Sequence, residues 1–215
     1  MTPVTLYSDV FWISPYVFAC AVALREKGIR FDVKEIRLQD GEQRAGDYRA
    51  RTRTGRVPAL AHGDFVLTES SAILEYLEEA FPAPEHARIF PDSVTDRARA
   101  RQLMSWLRSD ETSHVRKERS AEVIFYPLPR APLTAEGKAA ATKAIEVART
   151  FVGSAEGSMF GEWSIVDAEL AFFLHRLWED DLLPDDLRRY AAREWERPTV
   201  VEQVKHPRAS FTPYT

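Results

Sequence analysis

Between Val57-Pro58 and Glu69-Ser70-Ser71 the chain gathers a proline, a carboxylate and two hydroxyls around one short apolar hairpin. Proline has no N–H to give a ladder, so a strand that begins with Pro58 starts there or lies at an edge. With a cis Val57-Pro58 bond, the backbone groups of Val57 would turn outward to pair with an extended ligand. Glu69 offers a carboxylate to an ammonium. The hydroxyls and orphan N–H groups at Ser70 and Ser71 favour a carboxylate, because a helix start carries unsatisfied donors and partial positive charge. Together these groups suit a small zwitterionic peptide. Taken singly, each has a plain structural reading, Pro58 as the limit of an edge strand and Glu69-Ser70 as a helix cap.

The elements that must position these groups are readable from periodicity. Two alternating runs flank His62-Gly63-Asp64, a hairpin with a Gly-bearing turn, and the second passes into a helix near 69–80 with Ile73, Tyr76 and Leu77 on one face. Upstream, Val4-Thr5-Leu6-Tyr7 alternates like a strand. Pro15 to Lys27 places Val17, Phe18, Ala21, Val22 and Leu24 at helical spacing and stops at Gly28, and Ile29 to Ile36 reads as a second, parallel strand. An Arg-rich irregular piece fills 40–56. The order β-α-β then β-β-α over residues 1–82 is the layout of a thioredoxin-like domain. Pro82, Pro84 and Pro91 bracket a linker at 83–92, since closely spaced prolines break helix and ladder alike. Residues 93–215 read as an all-helical domain, with helices opening at Ser93, Thr134 and Ser164 and shorter ones after Pro184. The expected class is therefore α/β followed by all-α.

Composition narrows the function. With 45% apolar residues, 215 positions can bury a substantial core, and a formal charge of −4 gives no global attraction to nucleic acid or an anionic membrane. The Arg clusters at 44–56 and 97–119 read as solvated faces. A single cysteine, Cys20, excludes a disulfide within the chain and is placed for packing in the first helix. The five histidines, at 62, 86, 114, 175 and 206, show no paired metal-ligand spacing, so no metal is expected. Met1-Thr2-Pro3-Val4-Thr5-Leu6 lacks a basic region followed by an apolar signal, and no apolar run is long enough to span a bilayer. The expectation is a soluble, cytoplasmic protein without a nucleic-acid or membrane partner.

Three pieces in order, Gly55-Arg56-Val57-Pro58-Ala59-Leu60, Thr68 to Leu77, and Phe160-Gly161-Glu162-Trp163-Ser164-Ile165-Val166-Asp167-Ala168, resemble cytosolic-type glutathione S-transferases over the whole chain. The last piece is similar to the folding-nucleus motif of that family's helical domain. The resemblance implies a cis Pro58, pairing of the Val57 backbone with the cysteinyl part of glutathione, and Glu69 with Ser70 holding its γ-glutamyl ammonium and carboxylate. It also implies a homodimer. One departure is Thr52-Arg53 in place of the Asn-Pro often found just before the glycine.

Ser14-Pro15-Tyr16-Val17 lies between the first strand and first helix, where redox relatives carry Cys-Pro-Tyr-Cys. The resemblance makes Ser14 the catalytic group, a hydroxyl that donates to the sulfur of bound glutathione. Ser-Pro is also an ordinary N-cap and N1 pair. A hydrogen bond to a charged acceptor is worth about 1.5–3 kcal/mol. At about 1.4 kcal/mol per pKa unit, that bond with a helix N-terminus lowers the thiol pKa by about one to two units. Tyr7 is the rival, but it falls inside the strand whereas Ser14 stands at the turn. Phe11, Trp12, Trp106, Phe125 and Tyr126 are candidates for an aromatic second-substrate pocket between domains. The function expected is thiolate transfer to an electrophile or reduction of an organic hydroperoxide. A glutathione-dependent disulfide reductase and a non-catalytic interaction module of the same fold stay open.

Overall fold

The computed structural model describes residues 2–153 and 157–213. Its sheet has four strands, β1 (Val4–Asp9), β2 (Asp32–Ile36), β3 (Ala59–His62) and β4 (Phe65–Thr68), in the order β2-β1-β3-β4. β1 and β2 are parallel, and β3 is antiparallel to both β1 and β4. The crossover from β1 to β2 is helix α1 (Pro15–Glu26), and α3 (Ser70–Ala80) follows β4. A short α2 (Gly46–Arg51) lies between β2 and β3. This is the thioredoxin-like arrangement that the periodicities predict.

Alternation along the strands sorts the core. Leu6 pairs with Leu60 and Leu60 with Leu67, while Tyr7 and Ala59 point to the other face, where they pack with Tyr48 of α2 and Ile36. The ring centroids of Tyr7 and Tyr48 are 5.4 Å apart. The hairpin turn uses Gly63 at φ +61°, a conformation that costs glycine little, and its N–H donates to the Pro3 carbonyl. β2 starts at Asp32 rather than Ile29 because Ile29 closes α1: with Gly28 at φ +64°, the Ile29 N–H returns to the Leu24 carbonyl.

Beyond the sheet the chain is helical: α4 (Val94–Arg108), α5 (Ser113–Glu118), α6 (Glu122–Phe125), α7 (Ala135–Val152), α8 (Ile165–His175), α9 (Asp185–Trp195) and α10 (Pro198–Val204). α8 is buried on every side, which explains its near-continuous apolar run. The chain divides into two compact units, one running to Ile89 and resuming at Glu202, the other from Phe90 to Val201.

These limits differ from the sequence expectation at both ends of the helical part. Residues 83–89 group with the first unit. Buried Lys27 pairs with Glu78 at 2.7 Å and donates to the carbonyls of Phe81 and Ala87, and Glu78 accepts the Ile89 N–H. At the other end, Arg25 binds Glu202 and Gln203, and the residues that follow return to the first unit. Among the described residues, no helix is long and apolar enough to cross a membrane.

Candidate functional site

Strand register brings the sequence-selected residues to one end of the sheet. Tyr7 pairs with Ala59 and Ala59 with Thr68, so the end of β1, the approach to β3 and the exit from β4 lie side by side. From these positions lead off the Ser14 loop, Val57-Pro58 and Glu69-Ser70. Ligands of open α/β sheets bind in this kind of place, beyond the carboxyl ends of parallel strands.

Ser14 is half-buried at the N-cap of α1, with Pro15 as the first helical residue. Its Oγ accepts the Val17 N–H at 3.3 Å. That bond uses a lone pair and leaves the hydroxyl proton without an acceptor among the described residues. The proton is thus available to a group placed over the start of the helix.

The loop that presents Ser14 is held by Asp9, which sequence reasoning overlooked. Asp9 Oδ1 accepts the N–H groups of Phe11 at 3.1 Å and Ile13 at 3.2 Å, and Oδ2 accepts that of Ser14 at 3.3 Å. Its carbonyl takes the Trp12 N–H at 3.1 Å. Burial pushes the Asp9 carboxyl above the usual carboxylate range, and the N–H bonds from Ile13, Ser14 and Phe11 pull against it. The winding forces Trp12 to φ +52°, a strain of about 1–3 kcal/mol for a residue other than glycine. The one signal in the sequence is an acid at a strand end five residues ahead of Ser-Pro, a spacing without a motif.

Val57-Pro58 is cis, and Pro58 is buried. Tyr48 donates its hydroxyl to the Arg56 carbonyl at 2.6 Å, fixing the approach to this bond. The N–H and C=O of Val57 make no hydrogen bond among the described residues. Both are therefore open to an extended chain.

Glu69 stands at φ +70°, ψ 113° immediately before α3, a strained backbone for a residue with a Cβ. Its carboxylate caps nothing and is exposed, while its carbonyl accepts the Ile73 N–H at 2.9 Å. Ser70 is buried as the first residue of α3, with the Cys20 thiol 4.0 Å from its carbonyl. Cys20 is fully buried. The plain capping role weighed for Glu69 thus has no side-chain bond behind it.

The remaining candidates separate. Tyr7 is buried beneath α2, and its hydroxyl accepts from Arg51 at 3.3 Å. Phe11 and Trp12 are each 2% exposed, so their rings are packing groups of the first unit. Trp12 donates to Glu35 at 3.0 Å and lies 4.1 Å from the His206 ring, and Phe11 meets Phe211 edge-on at 5.5 Å. Trp106, Phe125 and Tyr126 are half-buried residues of the second unit, with Phe125 5.9 Å from Phe172. Among the described residues, no three His, Cys, Asp or Glu side chains form a metal-holding group.

A family model for the glutathione S-transferase N-terminal domain matches residues 13–80, and one for the C-terminal domain matches 93–206. The chain belongs to the glutathione S-transferase family. A glutathione transferase homolog from Burkholderia, solved with bound glutathione, is 34% identical with a TM-score of 0.77, covering 94% of this chain and 97% of that one. Glutathione S-transferase theta-3 of Mus musculus is 37% identical over 91 residues, 42% of this chain and 35% of that protein. Glutathione S-transferase Z1 of Arabidopsis thaliana is 34% identical over 109 residues, 51% of this chain and 47% of that protein. The chain thus matches less than two thirds of the length of these curated relatives.

Proposed function

We propose that this protein is a glutathione S-transferase whose bound thiol is ionised with the help of Ser14. The observation that carries the reading is the Ser14 hydroxyl, accepting from Val17 and free to donate, on the same sheet end as the unpaired backbone of Val57 and the carboxylate of Glu69. The 34% identical homolog with bound glutathione supports glutathione as cosubstrate.

In this reading the cysteinyl backbone of glutathione pairs with the N–H and C=O of Val57. Its γ-glutamyl ammonium meets the Glu69 carboxylate, and the neighbouring carboxylate meets Ser70 at the positive end of α3. The sulfur then lies over the start of α1, where Ser14 donates to it. A free thiol has a pKa of about 8.5, so lowering it by about one to two units makes the thiolate a main species near neutral pH.

The thiolate attacks an electrophilic carbon, forming a C–S bond as the leaving group departs with the bonding pair. With an organic hydroperoxide it attacks the terminal oxygen, the O–O bond breaks, and the alkoxide takes up a proton and leaves as alcohol. A second glutathione converts the sulfenic acid to disulfide and water. In both reactions the nucleophilic sulfur belongs to glutathione, so Cys20, buried in α1, is not needed. Family membership supports a homodimer, which sedimentation at micromolar protein would register as twice the mass of the chain.

The test is calorimetric titration with glutathione followed by turnover of an aryl halide and an organic hydroperoxide. Binding with glutathione-dependent turnover that Ser14→Ala lowers is the expected result. Binding without any turnover would make this a non-catalytic module, and activity abolished by Cys20→Ser but untouched by Ser14→Ala would make it a cysteine-dependent redox enzyme.

A further inference from the structure

We propose that Asp9 is a positioning residue for the Ser14 hydroxyl: its carboxylate and carbonyl collect every backbone N–H from Phe11 to Ser14 and so fix where the hydroxyl proton is offered. The proposal rests on the catalytic reading of Ser14. All four N–H groups of the loop end on one residue, three on the carboxylate and one on the carbonyl. The carbonyl also accepts the Ser8 hydroxyl at 2.9 Å.

The choice of an acid here is informative. A carboxylate beside a site for an anionic sulfur opposes ionisation of that sulfur, because like charges disfavour one another. Packing alone would be met by an apolar or neutral side chain without that penalty. A buried loop with converging N–H donors, however, needs an acceptor with two oxygens that both accept, and only an ionised acid supplies it. The geometry therefore favours holding the loop over helping the charge.

Holding the loop matters for Ser14 in particular. Its N–H is fixed by Asp9 Oδ2 and its Oγ by the Val17 N–H, so backbone and side chain are each tied at one point. Loss of the first tie frees the Ser14 backbone to turn, and the hydroxyl proton with it. Val57 and Glu69 flank β3 and β4, whereas the side-chain bonds of the Asp9 carboxylate go to Phe11, Ile13 and Ser14 of its own loop. The defect should thus appear in turnover and leave glutathione binding largely intact.

A double-mutant cycle tests this. Asp9→Asn keeps the volume but replaces an accepting oxygen with a donating NH2. We expect Asp9→Asn to lower kcat about ten-fold or more while KM for glutathione stays within about three-fold, and to change kcat less than about two-fold in a Ser14→Ala background. An equal loss of kcat in both backgrounds would mean that Asp9 does not act through Ser14, and would overturn the proposal. If Ser14→Ala alone leaves turnover unchanged, the catalytic reading of Ser14 fails and the proposal falls with it. Should Asp9→Asn not fold, amide hydrogen exchange on the parent protein decides: Phe11, Ile13 and half-buried Ser14 should all be protected. Rapid exchange at Ser14 would refute the tie.

Discussion

The Tyr190 hydroxyl donates to Asp167 Oδ1 at 2.9 Å in the core of the second unit. The same carboxylate accepts the N–H groups of Met159 at 3.0 Å and Ser164 at 2.9 Å, so the start of α8 and the middle of α9 depend on one acid. Burial first, then the Asp167 charge, holds the Tyr190 phenol well above its ordinary pKa. Removing the carboxylate strands several buried donors, each costing about 1–3 kcal/mol. Asp167→Ala should therefore lower the free energy of urea unfolding by about 2–5 kcal/mol and Tyr190→Phe by about 1–2 kcal/mol. An Asp167→Ala protein as stable as the parent would contradict this assignment.

In the proposed site, Glu69 and Ser70 address the end of glutathione remote from sulfur. The double substitution Glu69→Ala, Ser70→Ala should weaken binding by about 1.5–3 kcal/mol for each charge-assisted bond lost. The pKa of the bound thiol should not move. Calorimetry reports the first quantity and thiolate absorbance the second; normal binding by the double variant would remove these residues from the site.

His175 sets an acid limit on stability. Its ring is buried and stacked between Trp178 at 4.5 Å and Trp195 at 3.9 Å, and burial pushes its pKa down to about 4. The unfolded state, with an ordinary histidine pKa of about 6.5, binds more protons between these values, so stability falls as pH drops from about 6.5 toward 4. The loss from this group is of the order of 3 kcal/mol. His175→Phe keeps the stack without the titration and should flatten the acid limb of urea midpoints measured from neutral pH to pH of about 4.5. Parallel acid limbs for the two proteins would exclude His175 as the cause.

The tail covers the rings behind the Ser14 loop, with His206 on Trp12 and Phe211 on Phe11. Ending the chain after Lys205 should expose Trp12, raise acrylamide quenching of tryptophan fluorescence and lower turnover about ten-fold through a misplaced Ser14. Unchanged quenching and turnover would show that the loop needs no cover.

Legibility in the sequence followed the range of the interaction. β1, α1, the hairpin and α8 each carry their own period or cap, and Val57-Pro58, Glu69-Ser70 and Ser14 stand at their ends, where local chemistry marks them. Residues 83–89 read as a break because the prolines act locally, while the ties that hold the segment come from Lys27 and Glu78 far back in the chain. The return of the tail was hidden for the same reason, since His206 and Phe211 lie outside any periodic stretch. Asp9 was missed because a lone acid reveals its role only when a loop folds around it. Phe11 and Trp12 look like pocket aromatics in sequence, and only the tail packed against them shows that they are covered.

The central claim is that the Ser14 hydroxyl stabilises the thiolate of bound glutathione. Titrating thiolate absorbance against pH in saturated complexes of the parent and Ser14→Ala tests it most directly. The account predicts a bound thiol pKa about one to two units higher in Ser14→Ala, with glutathione affinity within a few-fold of the parent. Superimposable titration curves for the two proteins would contradict it.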